Sequence, residues 1–407
     1  MNKMIAWLEG TMAPKMNQIN NNIWVQTLKD SMMQMLPLIL VGSLVTLLAI
    51  LQEYIPLPNM WTVSNYTMGL IGLIVSFLVP FNYMERKRLR NLRIVAGMSG
   101  LSIFLITIRF DNLAELQYSL LGAGGMFAAL ILGIVAGTVF AIFGKFSFFK
   151  EDSAMPDFVR QWFDNMLPVG LLVFGTWGLV YLLNVDLFNI ITIALSPLTN
   201  FAETLPGFVL IYFLFCFFYS MGISTWMMYP IVNPIAMAGI AANTALVAQG
   251  LEPTFLLTNE TLYLGWLCIG GTGGTLILNF LMLRAKSKRM RALGKACIVP
   301  GFLNINEPIV FGAVAWNPIL MVPMWIHGIV APAIVWFALK GGFAAIPAHV
   351  NLFWYCPYPI STWLVSQSVG GMILLAIVVA VNFLIFYPFF KVYDKQQLKE
   401  EQAQAAK

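Results

Sequence analysis

The chain has 407 residues, of which 59% are hydrophobic and 10% charged, with a formal net charge of +5. About a quarter of the residues of a soluble domain are charged, so a soluble enzyme or binding module is excluded. Long apolar runs without period-two alternation exclude a membrane β-barrel, leaving an all-α polytopic membrane protein. The basic residues gather at the ends of apolar runs, as the positive-inside rule places them, and this argues against nucleic-acid binding.

Residues 1–30 contain Lys3, Lys15 and Lys29 among scattered Trp and Met, with no compact apolar core before a cleavage site. They predict an amphipathic helix lying at the bilayer interface rather than a signal peptide. The first membrane span is expected over Ser31–Gln52, with Pro37 inside, and the second over Thr67–Tyr83. The cluster from Glu85 to Arg93 follows and fixes that end, and hence the N-terminus, on the cytoplasmic side. A short span Ile94–Ile108 leads to Asp111 and Glu115 outside. The fourth, Leu121–Gly144, carries Gly122, Gly124, Gly125, Gly133 and Gly137, a pattern that allows close helix approach or dimerisation.

The polar stretch Lys145–Asp164 reads as a cytoplasmic connector or docking surface. Met166–Leu183 is the fifth span, and residues 187–205 an interfacial helix on the outer face. Gly207–Ile223 is the sixth span. Trp226–Val247 is the seventh, interrupted by Pro230 and Pro234 and carrying Asn233 and Asn243. Breaks of that kind mark transporter helices near a binding site. Tyr263–Leu283, with Gly270-Gly271-Thr272-Gly273-Gly274-Thr275 inside it, is read as the eighth. The basic loop Arg284–Lys295 returns the chain to the cytoplasm. Asn317–Leu339 is the ninth span, Gly341–Trp363 a loop rich in Pro and aromatics, and Met372–Phe390 the tenth, ahead of a charged tail. Ten spans put both termini inside, and this parity agrees with all the basic clusters.

Between the basic loop and the ninth span lies Asn304-Ile305-Asn306-Glu307-Pro308-Ile309-Val310-Phe311-Gly312. A carboxylate at membrane depth is costly and usually functional. Irregular backbone persists there only inside protein or around a water-filled cavity. Residues 297–314 are therefore expected to form a re-entrant hairpin lining a polar site, with Glu307 as its principal group. Nothing suggests a cofactor or metal. Cys216, Cys268, Cys297 and Cys356 have no metal-type spacing, and no P-loop, dinucleotide fingerprint or HExxH occurs. His327, mid-segment, reads as a packed histidine donating to a carbonyl, and His349 falls in the loop before the last span.

These stretches resemble the membrane IIC component (permease) of the phosphoenolpyruvate-dependent sugar phosphotransferase system, lactose/cellobiose/chitobiose family. Gly301-Phe302-Leu303 with the Asn-Glu-Pro stretch and Asn317-Pro318-Ile319-Leu320 carry the resemblance most strongly. Gly270–Leu276, Lys286-Ser287-Lys288, Leu293-Gly294-Lys295, Tyr387–Gln396 and Leu36-Pro37 with Gly42-Ser43 fit the same pattern, so nearly the whole chain is covered.

The resemblance implies a homodimer in the bacterial inner membrane with an elevator mechanism. It implies an N-terminal dimerisation half (residues 31–184), a C-terminal substrate-binding half (185–394) and a cytoplasmic tail (395–407). It implies partners as well. A cytoplasmic IIB protein, phosphorylated on cysteine by IIA, would phosphorylate a β-linked disaccharide or glucoside. Glu307 then falls on the glutamate that contacts the hydroxyl to be phosphorylated, a role its chemistry suits as hydrogen-bond acceptor and proton acceptor. Asn304, Asn306, Gly271 and Thr272 are further candidates for sugar contact, and Trp354 offers a platform for a pyranose face. Each has a plain alternative: amides satisfying a broken backbone, small residues permitting packing, a tryptophan anchoring at the interface.

Two departures from the family pattern stand out. The Gly-Ile-His-Gly motif of many members falls on Gly222-Ile223-Ser224-Thr225, so Ser224 replaces its histidine. Pro-Trp-Thr-Thr-Pro falls on Phe353-Trp354-Tyr355-Cys356-Pro357, which keeps the tryptophan. A hydroxyl hydrogen-bonds a sugar but does not hold a proton near neutral pH. A non-phosphorylating sugar transporter or sensor, or a receptor that no longer transports, therefore remains open beside the phosphotransferase reading.

Overall fold

A computed structural model describes residues 18, 21–51, 56, 58–111, 118–144, 146–149, 156–223, 225, 228–351 and 354–405. The interfacial helix expected over 1–30 lies largely outside these, as do Glu115, Ser224 and, within the Lys145–Asp164 stretch, residues 145 and 150–155. The described chain is helical and contains no strand. It divides into two compact units, one of Ile19–Leu198 and one built mainly from Thr199–Lys407.

Among the described residues the first unit holds the long helices α1 (Ile23–Leu51), α2 (Ile71–Arg86), α3 (Arg93–Thr107), α4 (Met126–Phe143) and α5 (Asp157–Trp177), with most of the helix that follows them. The helix α2 is the hub, packed on α1, α3 and α4. Close approach to α4 depends on Gly133, where a Cβ would come within 2.8 Å of Val79. At least this glycine therefore serves packing within the chain. Asn82 of α2 donates to the Ser31 hydroxyl at 3.0 Å and exchanges hydrogen bonds with Gln34 at 3.1 Å, tying α1 to α2. At the basic end, Arg86 pairs with Asp30, while Glu85 receives Arg93 and Arg90, each at 2.6 Å. α5 begins inside the expected connector and continues as the π-turn Gly178–Leu182.

The helix α6 (Leu187–Glu203) comes next, and at Thr204 the chain bends by 85° into α7 (Leu205–Ser220). The sequence dictates that start: Thr204 accepts from the Gly207 N–H at 3.2 Å, and Pro206 sits in the first turn, where its missing N–H costs nothing. α8 (Tyr229–Ala248) is the third helix of this stretch. After it the structure departs from expectation, because Tyr263–Leu283 is not one helix. Extended chain leads to a π-turn over Glu260–Gly265, an irregular turn over 266–275, and then α9 (Leu276–Leu283), only 8 residues long. The reason lies in Gly270, Gly271, Gly273 and Gly274, all at positive φ, where a right-handed helix cannot continue.

The helix α10 (Lys288–Phe302) is capped by Ser287, whose hydroxyl accepts from Met290 N–H at 3.1 Å. It forms the first limb of the Asn-Glu-Pro hairpin. The chain reverses at 303–306 and returns through the helical turn Glu307–Ile309 and a π-turn over Val310–Val314. Asn317 caps α11 (Pro318–Lys340), again with proline at its first position. The aromatic loop ends in α12 (Ile360–Ser366). α13 (Val369–Ala405) runs without a break into the charged tail. Five described helices are long and apolar enough to cross a membrane, six if the bent pair α6–α7 counts as one.

The irregular backbone of the second unit is satisfied by side chains. Glu203 accepts from Leu256 and Leu257 N–H at 2.7 and 3.0 Å. Asn243 accepts from Thr254 and Phe255 N–H and donates to the carbonyls of Phe255 and Pro347, all at 2.8–3.0 Å. Tyr212 donates to the Leu267 carbonyl at 2.6 Å and accepts from Gly273 N–H at 3.2 Å, and Asn382 donates to the Gly274 carbonyl. Non-helical backbone survives at membrane depth on such terms, since no water or lipid group substitutes for the partner.

Candidate functional site

The glycine-rich turn and the Asn-Glu-Pro hairpin meet tip to tip. The Asn304 side-chain oxygen accepts from Gly270 N–H at 3.0 Å. Its amide hydrogens go to the carbonyls of Trp354 and Cys356 at 2.8 and 2.9 Å, so one side chain joins hairpin, turn and aromatic loop. Asn304 stands at φ +60°, a conformation asparagine tolerates better than most residues. Asn306 donates to the Thr272 carbonyl at 2.8 Å and the Thr275 hydroxyl at 2.9 Å, and accepts from the Tyr219 hydroxyl at 3.1 Å. Both asparagines are buried, and their amides are engaged by protein.

Gly271 is packed against Asn306. At φ +98°, a Cβ there would overlap the amide carbon and oxygen, so only glycine lets the two tips close. Thr272 is half-buried beside it.

Glu307 behaves differently from its neighbours. It is exposed, and its carboxylate has no hydrogen-bond partner among the described residues. It lies near enough to the Tyr219 phenol to act on it electrostatically. Trp354 is 38% exposed and stands edge-on to Tyr355, with ring centroids 5.7 Å apart. The structure thus brings Asn304, Asn306, Gly271 and Thr272 together with Glu307 and the Trp354 loop. Ser224 lies outside the described residues.

His327 is fully buried, with Nε2 3.2 Å from the Leu267 carbonyl and its ring edge-on to Tyr212, as expected of a packed histidine. His349 is exposed. Sequence reasoning missed Tyr212 and Tyr219. Their signal was a seven-residue spacing, two helical turns, which puts both hydroxyls on one face of α7. It also missed Glu203 and Glu260, acids whose burial gives no periodic signal.

The sequence model of the family described as phosphotransferase system, EIIC matches residues 29–332. The chain belongs to the phosphotransferase system EIIC family. This EIIC chain is 28% identical to the lichenan permease IIC component of Bacillus subtilis (strain 168), over 98% of its own length and 96% of that protein. It is 30% identical to the lactose-specific EIICB component of Staphylococcus haemolyticus (strain JCSC1435), over 98% of its own length and 72% of that protein. Its fold is similar to the crystal structure of the transporter ChbC, the IIC component from the N,N'-diacetylchitobiose-specific phosphotransferase system. The TM-score is 0.85 at 24% identity, covering 97% of this EIIC chain and 99% of the other.

Proposed function

We propose that this EIIC chain is a sugar permease that takes a β-linked disaccharide or glucoside, of cellobiose, lactose or chitobiose type, inward for phosphorylation on its 6-hydroxyl by a phosphorylated IIB partner. The observation that carries the reading is the open carboxylate of Glu307. The neighbouring polar groups Asn304 and Asn306 are satisfied by protein, whereas Glu307 is exposed and without a hydrogen-bond partner among the described residues. A charge kept unpaired at such a tip is expensive unless a ligand uses it.

The chemistry starts from that acceptor. Glu307 receives a hydrogen bond from the sugar 6-hydroxyl and orients its oxygen toward the phosphocysteine of IIB. As the new P–O bond forms, the P–S bond breaks and the thiolate leaves on IIB. The hydroxyl proton passes to the Glu307 carboxylate. Such a loose transition state depends on positioning more than on bond-making by the protein. Asn304, Asn306 and Gly271 hold the tips in register, while Thr272 and Ser224 supply hydroxyls to the sugar and Trp354 stacks on a ring face.

The wider reading is a homodimer in the bacterial inner membrane with ten passes and both termini cytoplasmic. Residues 31–184 form the dimerising half and 185–394 the moving, sugar-carrying half of an elevator. The exposed Lys288 and Arg289 suit docking of IIB.

The replacement of the family histidine by Ser224 favours a second reading, transport without phosphorylation. Proteoliposomes supplied with IIB and with IIA already phosphorylated separate the two. Sugar 6-phosphate inside, reduced about 10²–10⁴-fold in Glu307→Gln, supports the first reading. Unmodified sugar inside supports the second.

A further inference from the structure

Glu260 is fully buried, with 0% of its surface exposed, and the candidate sugar site does not use it. It opens the π-turn Glu260–Gly265, and its Oε1 accepts the backbone N–H of Asn351 at 2.8 Å. Asn351 is itself buried and stands at the head of the aromatic part of the loop, residues 351–359. Its amide reaches the Leu364 carbonyl of α12 at 3.4 Å. Two further bonds lace the loop and α12 onto the same π-turn: Tyr358 hydroxyl to the Tyr263 carbonyl at 3.0 Å, and Thr362 hydroxyl to the Gly265 carbonyl at 2.6 Å. Among the described residues Glu260 is the acid in this lacing. Tyr229 of α8 and Thr258 lie beside it, and neither brings a positive charge.

The position of that bond matters because it lies close in the chain to the exposed ring. Three residues beyond Asn351 is Trp354, whose carbonyl, with that of Cys356, accepts both amide hydrogens of Asn304. The aromatic stretch is therefore pinned at its head by Glu260, at Trp354 and Cys356 by Asn304, and near its end by Tyr358. Asn304 fixes it to the Asn-Glu-Pro hairpin, and Glu260 fixes its head to the π-turn before the glycine-rich tip. The exposed Trp354 ring lies between the head pin and the Asn304 bonds, so losing the head pin loosens its place.

We infer that Glu260 is a positioning residue for the sugar platform, its buried carboxyl oxygen holding Asn351 so that Trp354 stands at a set distance from Glu307. The inference rests on the reading of Trp354 as that platform. It requires an acceptor at this reach and no negative charge. The amide oxygen of glutamine meets the requirement, whereas aspartate is one methylene too short and alanine offers nothing.

The test is hydrogen–deuterium exchange over residues 347–359 without sugar, with binding of cellobiose, lactose and diacetylchitobiose, in wild type, Glu260→Gln, Glu260→Asp and Glu260→Ala. Glutamine is expected to keep both protection and affinity within about twofold. Aspartate and alanine are expected to speed exchange at Asn351 at least tenfold and to weaken binding about tenfold, raising KM while kcat stays close to wild type.

Unchanged exchange in Glu260→Ala, or equal loss in Glu260→Gln, overturns the inference. If Glu260→Ala does not fold, the glutamine–aspartate pair decides. Faster exchange with unchanged sugar affinity leaves the anchor in place and removes Trp354 from the sugar site. If no sugar binds even wild type, exchange alone decides the anchor.

Discussion

In the unit of Ile19–Leu198, buried Ser99 and Thr107 bond back to carbonyls four residues earlier, at Val95 and Ile103. In the unit that begins at Thr199, buried Asn243, Asn304 and Asn382 reach backbone groups between 11 and 108 residues away. Buried polar side chains thus work in two ways. In the first unit helices satisfy their own backbone, and hydroxyls cost little because the preceding turn offers an acceptor. In the second, the chain leaves the helix around 251–275 and again at 303–306. Each freed N–H and C=O needs a partner that only another segment can supply. The exposed Glu307 closely follows Asn304 and Asn306, which supply several of these borrowed partners. Irregular backbone there is what allows two tips to meet and leave one acid open.

That contrast sets the order of expected damage. Asn243→Ala strips four backbone groups of their partner. At about 1–3 kcal/mol for each buried group left unmade, thermal unfolding should fall by roughly 10 °C or more. Its counterpart Ser99→Ala removes one local bond and should move the midpoint by less than about 4 °C. Equal losses would erase the distinction between the units.

Gly271→Ala comes next. It combines a positive-φ residue with overlap on Asn306, worth about 1–3 kcal/mol of strain, and should separate the two tips. Sugar affinity should fall about tenfold or more, read by calorimetry. Asn82→Leu in the first unit breaks its bonds to Ser31 and Gln34, yet Ser31 keeps the Thr27 carbonyl at 2.8 Å. A cost near 1 kcal/mol is expected from chemical denaturation, about that of one ordinary hydrogen bond.

The smallest effect lies at the tail of α13, where Glu401 accepts from the Ser287 hydroxyl and from Lys288 and Arg289 N–H. The Ser287 hydroxyl above all, with the Arg289 N–H, holds its carboxyl below the ordinary value near 4.5. A group with a lowered folded pKa contributes fully above its unfolded value, and the contribution disappears as pH falls through the folded one. Acidification below about pH 4.5 should therefore lower the protection of the amides at 286–290 relative to their intrinsic exchange rates, and Glu401→Gln should remove that pH dependence.

Much of this was legible in the sequence. Apolar runs placed α2, α3, α4, α7, α8 and α11 within a few residues of their observed ends, because a helix in an apolar setting is governed by local rules. The stretch Tyr263–Leu283 misled for the same reason: its hydropathy suits a span, and only the φ angles of its glycines show that the helix stops. The hairpin and its acid were visible as a charge in the wrong place. The partners of Asn304 and Asn306 were not, since a hydrogen bond to a backbone 34 or 50 residues away leaves no mark on spacing. Glu260 was passed over because its burial comes from three segments that only the fold assembles.

The most direct measurement is calorimetric titration of purified protein with cellobiose, lactose, diacetylchitobiose and their monosaccharides, wild type beside Glu307→Gln. Loss of a hydrogen bond to a charged group is worth about 1.5–3 kcal/mol, so saturable binding by one sugar should weaken about 10–150-fold in the variant. Wild-type affinity retained in Glu307→Gln would contradict the assignment of the open carboxylate as the sugar's ligand.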